Sequence, residues 1–140
     1  MATQTSGYGN NLSSPQLRRI LLLDCLTSLL GALGFLAVAA SPLAQLMGFN
    51  ERALPLIIGI ALLAYMVWLF SLTRKPAIWP GEVMAVMVIN DCWVLAWLVV
   101  LIANWLSLTV WGELFVGLTV VVVALFSTVE FLYLRKGRRN

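Results

Sequence analysis

The segment LPLIIGIALLAYMVWLFSL, residues 54–72, decides the fold, because it carries no charged side chain over a length sufficient to span a bilayer. A helix needs about 20 apolar residues to cross the hydrocarbon core. The whole chain shares this character, with 61% hydrophobic residues, 11% charged residues and a mean hydropathy of +0.95. These values lie far outside the range of soluble globular domains. The composition therefore predicts an integral membrane protein.

Three further apolar runs flank this segment, and Pro, Gly and charged residues interrupt the sequence between them, as is typical of loops at membrane edges. The sequence predicts an all-α fold, a polytopic membrane protein built as an antiparallel four-transmembrane-helix bundle. The predicted spans are residues 17–40, 54–72, 82–105 and 111–134, with a short amphipathic turn at 43–49, a disordered tail at 1–16 and a basic tail at 135–140.

The N-terminal segment has a second interpretation, as a secretory signal peptide. Arg18 and Arg19 precede an apolar run, and Ala37-Val38-Ala39 resembles a small-residue cleavage site. Against this interpretation, the apolar run is too long for an h-region and Asp24 interrupts it. We therefore expect the first apolar run to remain as a membrane helix.

The cations predict the orientation, because short loops that carry Lys and Arg stay in the cytoplasm. In a four-span topology, nearly all the cations fall on one side of the membrane: the pairs at 18–19 and 74–75 and the tail at 135–139. Arg52 alone falls on the other side. Both termini are therefore predicted to be cytoplasmic. Together with the resemblance described below, this places the chain in the cell inner (plasma) membrane, where the lipid bilayer is its surroundings.

Five polar residues interrupt the predicted spans and form the candidate intramembrane polar site. At about 1.5 Å of rise per residue, Asp24 and Glu130 lie about 7 to 8 Å from the predicted cytoplasmic edge, and Asp91 lies about 13 Å from it. Each predicted helix contributes at least one of these groups to a common zone. The five residues are Asp91, Asn90, Asp24, Glu130 and Tyr65.

These acids have two interpretations, which the sequence leaves open. Intramembrane carboxylates commonly mark proton or cation pathways. Alternatively, Asp24 and Glu130 are close enough to the edge to pair with Arg18, Arg19 or Arg135, and we favour this pairing for those two acids. Asp91 has no cation within reach on its own helix, so its carboxylate depends on partners from other helices.

The sequence also excludes several kinds of chemistry. It contains no His, which removes the commonest general base and the usual zinc and haem ligand. No nucleophile with a base, phosphate loop or metal-spaced cluster is present. We therefore expect no enzyme, no cofactor and no metal centre, and the net charge of +3 reflects membrane orientation rather than a nucleic-acid partner. Cys25 and Cys92 lack a redox motif and are predicted to be unreactive thiols.

Two short motifs carry a family resemblance. Gly59-Ile60-Ala61-Leu62-Leu63-Ala64-Tyr65 and Asn90-Asp91-Cys92-Trp93 are similar to patterns in uncharacterised small bacterial four-helix inner-membrane proteins. The resemblance implies a bacterial inner-membrane location and no particular activity. The length also resembles that of small multidrug-resistance exporters, but their early-helix Glu is replaced here by Asp24 at a loosely equivalent place.

Two functions from different classes follow. The first is a structural or accessory subunit whose helices pack with partner membrane proteins or with a second copy, the acids serving as fasteners between helices. The second is a small proton-coupled transporter or channel that uses the intramembrane carboxylates, with Asp91 at its centre. We favour the first, because such apolar helices leave little polar lining for a pathway.

Overall fold

A computed structural model describes residues 14–137, and every regular element in this range is helical. The all-α prediction is therefore confirmed. Four helices are long and apolar enough to cross a membrane, and the fifth is a single short turn. The helices are α1 (Pro15–Ala40), α2 (Leu43–Leu46), α3 (Ala53–Arg74), α4 (Pro80–Ile102) and α5 (Val110–Gly137).

Local chemistry sets the helix ends. Ser14 caps α1 by accepting a hydrogen bond from the Leu17 N–H at 3.2 Å, and Pro15 occupies the first turn. The predicted tail at 1–16 is therefore too long by two residues, and the rest of it, residues 1–13, lies outside the described range. At the other terminus, helix α5 continues through residues 135–137 of the predicted basic tail, and residues 138–140 lie outside the described range.

Helix α4 differs at both ends from the predicted span at 82–105. It begins two residues earlier, at Pro80, because the Glu82 carboxylate accepts the backbone N–H of Trp79 at 3.0 Å and caps the first turn. It ends at Ile102, because Asn104 adopts a positive φ of 49° that a helix cannot accommodate.

Two apolar clusters fill the interior at opposite ends of the long helices. We call them the Leu17 cluster and the Phe35 cluster. The Leu17 cluster joins the start of α1, the end of α3 and the start of α4 through residues such as Leu17, Leu72 and Val83. The Phe35 cluster joins the end of α1 to Trp97 of α4 and to the first turns of α5, and Phe35 stacks on Trp97 with ring centroids 6.0 Å apart.

The outer surface of the long helices is almost entirely apolar. Leucine, isoleucine, valine and phenylalanine side chains on α1, α3, α4 and α5 remain more than 40% exposed along much of their length. A soluble monomer rarely exposes so much contiguous apolar surface. Such a surface suits helices that contact lipid.

Candidate functional site

Three polar side chains from three helices meet between the two apolar clusters. Asp24 of α1 and Asn90 of α4 are both buried, and the Asn90 Nδ2 donates to Asp24 Oδ2 at 3.3 Å. The Tyr65 hydroxyl of α3 lies 2.9 Å from Asn90 Oδ1 and 3.3 Å from Asp24 Oδ2. Since a hydroxyl carries one proton, Tyr65 donates to one of these acceptors at a time. The three groups form a closed hydrogen-bonded triangle.

Glu130 of α5 is the fourth member of this layer and differs from the other three. Its side chain is fully buried, and neither carboxylate oxygen has a hydrogen-bond partner among the described residues. It interacts electrostatically with Asp24, and the Asn90 amide also lies close to it, although that amide is already hydrogen-bonded to Asp24. We call Asp24, Tyr65, Asn90 and Glu130 the polar layer. Each long helix contributes one residue to it.

The predicted pairing of Asp24 and Glu130 with nearby arginines is wrong for the described part of the chain. Arg18 turns away from both acids and donates to three backbone carbonyls at the end of α3, those of Thr73, Lys75 and Pro76. The described ion pair lies at the surface instead, between Lys75 and Glu82. Neither buried acid therefore has a cationic partner among the side chains that the structure describes.

Asp91 lies outside the polar layer, although the sequence grouped it with the other four residues. Its side chain is exposed on the outer face of the α4 and α5 pair, and its Oδ1 accepts a hydrogen bond of 2.5 Å from Ser127 Oγ. Asn90 points inward and Asp91 outward because successive helical residues differ by about 100° in direction. The sequence predicts how deep both residues lie in the membrane, but it does not predict which of the two side chains faces the interior of the bundle.

Asp91 lines a shallow groove of about 290 Å³ on this outer face, which we call the Asp91 groove. Ser127 and Thr128 of α5 supply its hydroxyl groups, and the Thr128 hydroxyl donates to the Ala124 carbonyl of its own helix at 2.8 Å. The groove lies near the middle of α4, about eleven residues from each end of Pro80–Ile102. Its lining residues are Met87, Asp91, Val94, Ala124, Ser127, Thr128 and Phe131.

A central cavity of about 220 Å³ reaches the polar layer from the α1 and α5 side. Asp24 lies in its wall, and the hydroxyl groups of Thr27, Ser28 and Thr119 line it beside apolar and aromatic side chains. Thr27, Ser28 and Gly31, the small or polar residues that follow Asp24 along one face of α1, therefore line this cavity.

The two cysteines occupy different environments. Cys25 is buried in the Leu17 cluster, and its thiol lies 3.6 Å from the Met66 carbonyl as a weak donor. Cys92 is exposed next to Asp91. Both thiols are free, so a labelling reagent that enters the bilayer reaches the second one and not the first.

Comparison with protein-family models, with curated proteins and with solved structures finds no match to this chain. The class defined by the fold is therefore a small helical protein with four helices suited to a membrane. The resemblance to small bacterial four-helix inner-membrane proteins stays a prediction.

Proposed function

We propose that the chain is a multi-pass inner-membrane protein whose four long helices form an antiparallel bundle with both termini in the cytoplasm. The Leu17 cluster supports this arrangement, because it joins the first residues of α1 to the last residues of α3 and the first residues of α4. Arg18, Arg19, Arg74 and Lys75 then lie on one side of the membrane, as the positive-inside rule requires.

Within this arrangement we propose that the protein is a structural or accessory subunit that associates with other membrane chains through the Asp91 groove. One observation carries the proposal: a carboxylate near the middle of a span is exposed on the outer surface of the chain. An acidic side chain facing lipid at that depth costs at least about 2.5 kcal/mol. Ser127 satisfies only part of its hydrogen-bonding capacity. Contact with another protein surface removes this cost.

The occupant that fits the groove best is a second copy of this chain. The groove carries an acceptor, Asp91, beside two hydroxyl donors, Ser127 and Thr128. Within one chain both hydroxyls already donate, Ser127 to Asp91 and Thr128 to the Ala124 carbonyl. A two-fold symmetric contact brings the same patch of both copies together, so the exposed Thr128 hydroxyl of one copy can turn to the Asp91 carboxylate of the other. Ala124 between them allows the helices to approach closely, as small residues do at membrane helix interfaces.

We expect a cysteine placed in the groove to crosslink two copies in the native membrane. Thr128→Cys, in a Cys92→Ala background that retains only the buried Cys25, is expected to form a disulfide-linked dimer under mild oxidation. Adding Asp91→Leu is expected to weaken the dimer roughly tenfold, because two symmetric interhelical hydrogen bonds are worth about 1.4 kcal/mol together. Gel mobility measures the amount of disulfide-linked dimer. Dilution of the protein in lipid measures how far Asp91→Leu weakens the association.

The matched control is Leu33→Cys in the same background, since Leu33 is similarly exposed but lies on α1. It is expected to stay monomeric. Equal crosslinking at both positions, or monomers alone at Thr128→Cys, would contradict self-association through the groove. If Thr128→Cys crosslinks to a different protein instead, that protein and not a second copy occupies the groove.

A second function, a small proton-coupled transporter or channel, has its own supporting observation in Glu130. A fully buried carboxylate without a partner, close to a cavity that contains Asp24, resembles the acid of a proton pathway rather than a structural fastener. In this function the polar layer, and not Asp91, is the working centre.

Proton flux distinguishes this second function from the first. In vesicles that enclose a pH-sensitive dye, a proton channel acidifies the lumen when a membrane potential is imposed that is negative inside, and Glu130→Gln is expected to lower that rate at least tenfold. Asp91→Asn serves as the control and is expected to leave the rate unchanged. If vesicles that contain the unaltered protein are no more permeable to protons than protein-free vesicles, the channel form of this function is excluded.

A further inference from the structure

The polar layer contains two buried acids and no cation to balance them. No Lys or Arg occurs in the sequence between the edge residues of any long helix, so the closest cations along the chain are Arg19, Arg74 and Arg135 at the helix ends. Asp24 accepts a hydrogen bond from Asn90 and lies within reach of the Tyr65 hydroxyl, whereas neither Glu130 oxygen has a partner among residues 14–137. The two acids thus differ in how well the surrounding structure supports a negative charge.

We propose that Glu130 and Asp24 together hold one exchangeable proton, which resides on Glu130 when the layer is at rest. The proton neutralises the carboxyl group that lacks donors and leaves the charge on the carboxyl group that has them. Burying an isolated carboxylate costs far more than burying a neutral acid, and two neighbouring carboxylates in a low-dielectric interior do not both stay charged. The site is therefore a proton-binding site, and it does not depend on association through the Asp91 groove.

The groups around Glu130 favour a proton over a metal ion. Asp24 faces it from α1, Tyr65 from α3, and Asn90 and Asp91 from α4. Among residues 14–137, no three acidic or cysteine side chains gather as a metal ligand set. A proton requires only one oxygen and no coordination shell, so it fits a layer in which Asn90 donates to Asp24 and Tyr65 donates to Asn90 or to Asp24.

The central cavity gives the proton a route. Asp24 lies in its wall beside Thr27 and Ser28, and the Thr27 and Thr119 hydroxyl groups donate to carbonyls of their own helices, which leaves their oxygens as acceptors. A proton that leaves Glu130 therefore passes to Asp24 and then toward this cavity. Removal of the proton leaves two negative charges in the layer, a state that the low-dielectric surroundings disfavour.

Infrared spectroscopy of the full chain in vesicles of phosphatidylethanolamine and phosphatidylglycerol tests the proposal. At pH 7 the unaltered protein is expected to show the carbonyl stretch of one protonated carboxylic acid, which shifts when water is replaced by D₂O. Glu130→Gln, which keeps the shape of the side chain, is expected to lose this band. Asp24→Asn is expected to keep the band but move its frequency, because the neighbour of Glu130 has changed.

Glu113→Gln is the control and is expected to leave the band unchanged, since Glu113 is exposed in the first turn of α5, at the far end of that helix from Glu130. A pH 7 spectrum without a protonated acid, or a band that survives Glu130→Gln, would overturn the proposal. A band that appears only when Na⁺ is replaced by choline would overturn it too, because a sodium ion would then occupy the site. Circular dichroism of each variant verifies that the helices are retained. If Glu130→Gln does not fold, the shift of the band in Asp24→Asn still tests whether the protonated acid lies beside Asp24.

Discussion

Arg18→Ala is expected to lower the free energy of unfolding by about 2 kcal/mol, because one guanidinium group closes the end of α3. Its Nη1 donates to the Thr73 carbonyl at 3.0 Å, and its Nη2 donates to the Lys75 and Pro76 carbonyls at 2.6 and 3.0 Å. Helix α3 ends at Arg74, so these carbonyls have no following helical N–H to receive. Without Arg18 they must find water at the membrane edge.

Unfolding in mixed micelles with increasing dodecyl sulfate, followed by tryptophan fluorescence, measures the effect of Arg18→Ala. Arg19→Ala is the matched control, since Arg19 is exposed and makes no side-chain hydrogen bond among the described residues, and it is expected to change stability by less than about 0.5 kcal/mol. Arg18→Lys is expected to recover only part of the loss, because a single ammonium group lacks the planar fork that reaches three carbonyls. Equal losses for both alanine variants would show that general surface charge, and not these carbonyl contacts, matters at this edge.

The contact made by Arg18 illustrates what the sequence could not predict. Its position before an apolar run predicts a charged membrane edge, and in the structure it lies near the start of α1. The sequence contains nothing to say that its partners are carbonyls more than fifty residues away, because backbone acceptors have no sequence signature. The prediction that Asp24 and Glu130 pair with arginine is wrong for the same reason. It rests on depth alone, and depth does not show that a backbone carbonyl is the partner of Arg18.

The helices themselves were predictable for a physical reason. A span must be long, apolar and internally hydrogen-bonded, and each of these requirements leaves a trace in composition. Within a span, however, almost every residue is apolar, so no periodic contrast distinguishes the inner face from the outer face. Asn90 and Asp91 therefore had the same predicted status, although one is buried in the polar layer and the other is exposed in the Asp91 groove.

The largest predicted loss of stability belongs to Gly112→Ala, at about 3 kcal/mol. Gly112 lies in the first turn of α5, where the backbone carbonyl of Met47 approaches its Cα so closely that an added Cβ would overlap the oxygen. That carbonyl is fixed in place, because it accepts the Thr109 N–H at 3.1 Å. The Thr109 hydroxyl also donates to the Leu46 carbonyl at 2.7 Å. An obstructing backbone group moves far less readily than a side chain.

The opposite side of the same contact is equally constrained, which is why the strain of Gly112→Ala is not relieved by a small shift. Gly48 follows Met47 with a φ of +84°, a conformation that favours glycine, and its own backbone packs against Leu108 and Thr109. The α2 turn and the start of α5 thus fit together backbone against backbone. Separation of the two segments would also open the end of the Phe35 cluster that contains Phe49 and Ala44.

Gly117→Ala isolates this effect from the general influence of alanine on a helix. Gly117 lies on α5, five residues further along, and a Cβ added there meets nothing within 4 Å. It is expected to be neutral or slightly stabilising, since alanine favours a helix by up to about 1 kcal/mol over glycine. The midpoint of unfolding in mixed micelles compares the two variants directly. If Gly112→Ala proved as stable as Gly117→Ala, the α2 turn would have to be free to leave α5, and the close backbone contact at Met47 would not stabilise the fold.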